Sequence, residues 1–272
     1  MSENTAYPLP AADRYAQEQD RLARQFQAIQ NFIGDFTFAP INDLNVKAIL
    51  ELGSGTGAWA SEAADRFPEA DIIAVDIVEP DSKLAKPNVR FQKFDLRQPL
   101  PWEPESFDVV PNGEDVLLRI LPLVRMHGIL ILEDTLAPVY RDPKLVPAFV
   151  KFWDAFGKMA KDRGINLELP RSYHDIISNS SLFDEITVKV HFCTFSEGDD
   201  TPIGQISAFS RESFRQGPLR HYPGTTPELI KQVEEEMDNP IINKTMGYDW
   251  YFVWARRVRK DSKESVEVTT TA

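Results

Sequence analysis

Two hydrophobic periods alternate along this chain. From Val46 onward, short apolar runs are separated by stretches with helical spacing: KAILEL, a glycine-rich break, AWASEAADRF, DIIAVDI, a linker, VRFQKFD and FDVV. Such alternation predicts β-α-β units and a parallel sheet covered on both faces. Ahead of it, AADRYAQEQDRLARQFQAIQNFIGDF sets Tyr15, Leu22, Phe26, Ile29 and Ile33 at roughly helical intervals, predicting one amphipathic helix before the sheet. Downstream, GEDVLLRILPLV predicts a helix that Pro122 kinks or stops, and RMHG leads from it to a fifth strand, ILILEDT. DPKLVPAFVKFWDAFGKMAKDRG and SYHDIISNSSLF predict two further helices, and EITVKVHFCTF a strand. The segment Ser196 to Pro223 reads as loop-rich, TTPELIKQVEEEM as a helix capped by Thr225 or Thr226, and YDWYFVWARRV as the last strand. The end, KDSKESVEVTTTA, is expected to be a disordered polar tail.

Composition narrows the partners. A chain of 272 residues, 42% hydrophobic, suffices for one large α/β domain. Acidic residues outnumber basic ones 42 to 30, and the net charge of −12 opposes attraction to nucleic acid or anionic lipid, which leaves a small molecule as the expected partner. Cys193 is the sole cysteine, so neither an intramolecular disulfide nor a cysteine-rich metal site is expected. The N-terminus lacks the basic start and apolar run of a signal peptide, and no run approaches the length of a membrane span. The chain reads as soluble and cytoplasmic.

Candidate chemistry begins at ILELGSGTGAWA. Gly53, Ser54, Gly55 and Gly57 follow a strand and open a helix, so the backbone turns tightly and a ligand can approach it closely. The loop alone suits two cofactors, because Gly53 to Ala58 also satisfies G-x-G-x-x-G/A, the pattern that rests a pyrophosphate on a helix N-terminus. Glu51, two residues before the first glycine, shifts the reading: a carboxylate there attracts the α-ammonium of S-adenosylmethionine and sits awkwardly beside a pyrophosphate. Asp76, ending the second strand, suits ribose hydroxyls. Asp95, ending the third, suits the exocyclic amine of adenine, with Leu96 against the ring.

An acidic residue before G-x-G-x-G, then Asp76, then Asp95, resembles the class I S-adenosylmethionine-dependent methyltransferases. The leader helix RYAQEQDRLARQF is similar to the cap of fungal small-molecule methyltransferases of secondary metabolism. The resemblance is specific from about Lys47 to Asp134 and rests on element order through Val258. It implies a Rossmann-like, mostly parallel sheet of seven strands in the order 3-2-1-4-5-7-6, with helices on both faces and an N-terminal helical cap. It implies Glu51 to Gly57 at the methionine end, Asp76 with the adjoining Ile77 at the ribose, and Asp95 with Leu96 at the adenine. Arg14, Tyr15 and Arg21 on the cap become candidates for the methionine carboxylate or the acceptor. The chain then divides into a flexible leader (1–9), the cap (10–45), a methyltransferase domain (46–260) with an acceptor-side insertion at about 138–182, and the tail (261–272).

The expected reaction is methyl transfer to an oxygen or nitrogen of a small metabolite in fungal secondary-metabolite biosynthesis. Glu133 and Asp134, at the C-terminal end of strand five, together with His174 and His191, are the candidate proton acceptors. Trp153 and Phe156, with Phe152, are candidates to line an acceptor pocket. One departure from the family pattern stands out. Pro111, Asn112 and Gly113 form the whole link after strand four, roughly ten residues shorter than usual, although links of ~2–6 residues suffice to close α/β units. That link separates the active enzyme from an alternative, a methyltransferase-like regulatory or partner-binding protein with reduced or lost turnover.

Overall fold

A computed structural model of the protein describes residues 15–78, 86–111, 116–135, 138–162, 164–216 and 225–258. The leader, Arg14, the link residues Asn112 and Gly113, and the tail lie outside the described residues. Strands β1 (Ala48–Leu52), β2 (Asp71–Asp76), β3 (Val89–Lys93), β4 (Phe107–Pro111) and β5 (Val124–Thr135) lie parallel in the order β3-β2-β1-β4-β5. Strand β8 (Met246–Arg257) joins β5 antiparallel, and β7 (Phe183–Thr194) pairs antiparallel with β8. The core order agrees with the expected one. The sheet has eight strands rather than seven because β6 (Val139–Tyr140) pairs with β8 at Gly247 and Met246, just beyond the last residue paired with β5.

Strand parity assigns each apolar side chain to one of two layers. Ile49, Ile72, Ala74, Val109, Ile129 and Ile131 pack against Trp59, Ala60, Ala63 and Ala64 of α2 (Ala58–Arg66). Leu50, Leu52, Val110, Leu130 and Leu132 face the other way, onto α3 (Leu117–Ile120) and Tyr173 and Ile177 of α5 (Tyr173–Ser180). Each valine, leucine or isoleucine among them contributes about 1.5–3 kcal/mol on burial, and a one-residue slip would turn a whole set to the wrong face. Register is therefore firmly set where the site is built.

Helix α1 (Tyr15–Ile33) crosses the α2 side of the sheet, its Phe32 stacking on Phe252 of β8 with ring centroids 5.8 Å apart. Beyond it the chain is pinned to α2, where Phe36 meets Trp59 at 4.6 Å and Arg66 donates to Asp35 at 2.7 Å. Helix α4 (Pro147–Asp162) packs on α7 (Pro227–Asp238), whose Glu236 carboxylate caps α4 by accepting from the amides of Ala148 and Phe149 at 2.8 and 2.9 Å. Thr226 caps α7, its hydroxyl oxygen accepting from the Leu229 amide at 3.1 Å.

Three expectations need correction. The segment read as loop-rich contains the fifteen-residue helix α6 (Pro202–Gln216), whose buried positions include Ser207, Ser210 and Arg211 as well as Ile206 and Phe214. A buried face built partly of small and polar residues carries little hydrophobic periodicity. Among the described residues of GEDVLLRILPLV, which begin at Val116, the expected helix is the single turn of α3, which passes into a 3-10 turn at Leu121–Leu123 that holds Pro122. RMHG belongs to β5 itself: Phe107 pairs with Val124 and Val109 with Ile129, so the intervening residues bulge out, with His127 at φ 65°.

The glycine loop shows why its spacing matters. At Gly57 φ is 78°, and an added Cβ would stand 2.5 Å from the Phe91 ring of β3. At Gly55, φ 53°, it would stand 3.4 Å from Leu22 of α1, which therefore lies over the loop. Gly57→Ala is expected to destabilise the fold by about 2 kcal/mol or more through left-handed strain and displacement of Phe91. Thermal denaturation reads this as a fall in Tm of several degrees; an unchanged Tm contradicts it.

Candidate active site

At the C-terminal end of β1, Glu51 points to the α2 side and is 2% exposed. The Ala60 amide donates to it, yet its Oε2 has no hydrogen-bond partner. Burial pushes its carboxyl well above the usual carboxylate range; the Ala60 amide opposes this and the Asp76 charge adds to it. A cation delivered here would relieve both the missing partner and the desolvation. Ser54, 6% exposed, likewise has an unpartnered buried hydroxyl. Its amide and that of Gly53 donate to the Val75 carbonyl, binding the loop to β2.

Asp76 helps build the loop as well as facing it. One carboxylate oxygen accepts from the Gly55 amide at 2.8 Å and the other from Val78 at 3.0 Å, which leaves lone pairs on both. Ile77 follows it, half-buried. Asp95 lies two residues past the end of β3, since the strand stops at Lys93, and its oxygens take Arg97 at 2.6–3.1 Å. The bonds from Arg97 hold its carboxyl below the usual range. Leu96 packs at the edge of the core beside Phe94 and Trp102.

The two carboxylates ending β5 diverge. Glu133 lies opposite Phe252 on the α1 side, half-buried, and accepts from the Thr37 hydroxyl at 3.3 Å. Asp134 faces the other layer and accepts from the phenol of the fully buried Tyr173 at 2.6 Å and from the Thr135 amide at 2.7 Å. Glu133 thus shares a sheet face with Glu51, and Asp134 does not. His174, next to Tyr173, stands exposed and paired with Asp175 at 3.2 Å. It is not brought to either β5 carboxylate by a hydrogen bond. Sequence reading singled out the imidazole; the structure engages its neighbour, which a buried aromatic position in the helical pattern could have signalled.

On the α1 side, Tyr248 of β8 meets Trp153 of α4 edge-on at 6.1 Å, and Trp153 meets Phe156 at 5.0 Å. Burial raises the Tyr248 phenol, and the Arg21 charge on α1 partly offsets this. Tyr248 carried no sequence signal because it sits within an apolar strand pattern. Trp153 and Tyr140, with Asp154, Lys161, Asn166 and Glu168, line a cavity of about 570 Å³. Phe152 is wholly buried and Phe156 nearly so, both as core residues of α4. Tyr15 opens α1, and only its backbone is described. Among the described residues no group of three or more His, Cys, Asp or Glu side chains is arranged to hold a metal, and no helix is long and apolar enough to cross a membrane.

An acid-bracketed glycine loop at the β1 end of a 3-2-1-4-5 sheet with an antiparallel strand beside β5 is the architecture of the class I S-adenosylmethionine-dependent methyltransferases. Residues 49–117 match the model of the methyltransferase domain family. The chain is similar to methyltransferase str3 of Strobilurus tenacellus, with 28% identity covering 93% of this chain and 97% of that protein. Methyltransferase str2 of the same fungus is 37% identical over 126 residues, covering 43% of this chain and 46% of the relative. Among solved structures, Haemonchus contortus phosphoethanolamine N-methyltransferase 2 superposes with a TM-score of 0.50 at 15% identity, covering 93% of this chain and 62% of that one, a likeness of fold.

Glu133 gives the site a pH signature. Burial raises its carboxyl from 4.5 to about 7, and the Thr37 hydroxyl opposes the rise. The folded chain therefore holds a proton that the unfolded chain releases near 4.5. Its contribution to stability is full below 4.5 and is lost as pH rises through about 7. Glu133→Gln is expected to match wild type near pH 4.5 and to exceed it above pH 7 by up to about 3 kcal/mol. Chemical denaturation across this range checks the sign; a difference that does not vary with pH contradicts it.

Proposed function

We propose that the protein transfers a methyl group from S-adenosylmethionine to an oxygen or nitrogen of a small metabolite, as part of fungal secondary-metabolite biosynthesis. The observation that carries the cofactor half of this reading is the buried, unpartnered Oε2 of Glu51 beside the glycine loop. An α-ammonium supplies the missing donor and the compensating charge. When bound, S-adenosylmethionine supplies an electrophilic methyl carbon and a neutral sulfide leaving group. The chain's own residues hold and orient. Glu51 to Gly57 take the methionine end, Asp76 and Ile77 the ribose, and Asp95 and Leu96 the adenine, while Leu22 of the cap covers the loop.

For the acceptor, the cavity beside Trp153 and the Tyr248 and Arg21 groups support a flat molecule with polar substituents, Phe156 backing the Trp153 ring. Methyl transfer depends mainly on alignment of the nucleophile with the methyl carbon. Glu133 is the favoured acceptor of any proton that a hydroxyl or amine releases, because it shares the face of Glu51 and titrates near neutrality. Asp134 is the second choice, held by Tyr173, and His174 the weakest.

Titration calorimetry with S-adenosylmethionine tests the cofactor assignment. Wild type is expected to bind, Asp76→Ala to bind at least tenfold more weakly, and Glu51→Gln to lose about tenfold or more, as expected for one charged hydrogen bond. Glu51→Gln should also raise the Tm of the ligand-free protein, since it removes a buried, half-satisfied carboxylate. Equal affinity of both variants and wild type contradicts the assignment. Binding without methyl transfer across a broad acceptor panel would favour the regulatory alternative.

A further inference from the structure

A side chain of the helix that follows β4 reaches across to the turn that follows β3. The turn after β3 presents Asp95 and Leu96, but it belongs to no strand or helix. Within it, the Gln98 amide donates to the Asp95 carbonyl at 2.9 Å and the Arg97 side chain folds back on Asp95, while the Phe94 amide donates to the Asp76 carbonyl at 2.8 Å and Leu96 packs against the core. A further attachment, the one that grips its backbone carbonyls, comes from α3. Arg119 donates through one guanidinium nitrogen to the Leu96 carbonyl at 2.6 Å and through the other to the Gln98 carbonyl. A planar guanidinium can span two carbonyls in one plane, which an ammonium cannot. Its neighbours Leu117 and Ile120 are buried in the core under β1, β4 and β5, so the fork projects from a fixed base.

We propose that Arg119 is a positioning residue for the cofactor, holding the 95–98 turn in the shape that receives the adenosine moiety. It touches no reacting atom and acts through the backbone of Leu96 and Gln98. The proposal rests on the S-adenosylmethionine reading above. It also makes α3, the helix that follows the short link after β4, part of the adenine site.

The test uses the full chain, with S-adenosylhomocysteine and adenosine as calorimetric probes. Arg119→Ala is expected to weaken both by a similar factor of about ten, the loss of one charged hydrogen-bonding group, with the Tm of the ligand-free protein within a degree or two of wild type. Arg119→Lys is expected to recover part of the loss. Glu51→Gln separates the two halves of the site, because it should weaken S-adenosylhomocysteine while sparing adenosine. Unchanged affinity in Arg119→Ala overturns the proposal, and so does a loss confined to S-adenosylhomocysteine. A loss that Lys does not relieve and that follows a large fall in Tm also overturns it, by making Arg119 a structural residue only. Failure of wild type to bind S-adenosylhomocysteine removes the cofactor reading and this proposal together, and is distinguished by that first titration.

Discussion

A carboxylate with one oxygen left unpartnered in the interior is the constraint around which this structure is arranged. Glu51 sits where β1 gives way to the glycine loop, under α2 and out of water. Leaving a charge there without a partner is costly, and the group responds by holding its proton more tightly. A fold selected for stability alone would place an apolar residue at this position, because Ile49 and Ile131 on the same face are apolar and fully packed. The carboxyl makes sense as a site whose partner arrives from outside. The loop beside it is held by bonds that do not use this group: Gly53 and Ser54 amides to Val75, and the Gly55 amide to Asp76. The oxygen therefore stays available while its surroundings stay rigid.

Strand parity then divides the chemistry. Residues at the ends of β1, β5 and β8 alternate between two faces, and only one of these lies under the cap helix. Glu51, Glu133 and Tyr248 fall on that face, and Asp134 falls on the other, where Tyr173 engages it. The two adjacent carboxylates of β5 are thus not interchangeable. Glu133 has a desolvated carboxyl and a single hydroxyl donor, which keeps its proton exchangeable near neutrality. Asp134 is engaged by the Tyr173 hydroxyl and the Thr135 amide.

What was legible in the sequence follows from where the physical signal is local. The alternating sheet, the glycine loop and the acids at the ends of β1 and β2 depend on short-range patterns, and Thr226 capping α7 is a local rule obeyed. Helix α6 was invisible because its buried face includes Ser207, Ser210 and Arg211, positions made suitable by tertiary packing rather than by apolar periodicity. The β5 bulge was read as a connection because an out-of-register stretch looks like a turn when its partner strand is unknown. The choice of His174 over Tyr173 shows the same limit: residue type suggested chemistry, and only the fold reveals which of two neighbours points inward.

The short link after β4 takes on a different meaning in this arrangement. The helix that follows it, α3, is the element from which Arg119 reaches the turn carrying Asp95 and Leu96. With the cofactor bound as proposed, the adenine side is organised from β3 and α3 together and the methionine side from β1 and α2, and the cap meets the loop through Leu22 of α1. Binding energy gathered at the adenine end can therefore be used to hold the methyl-bearing end in line, which is the condition on which a reaction governed by alignment depends.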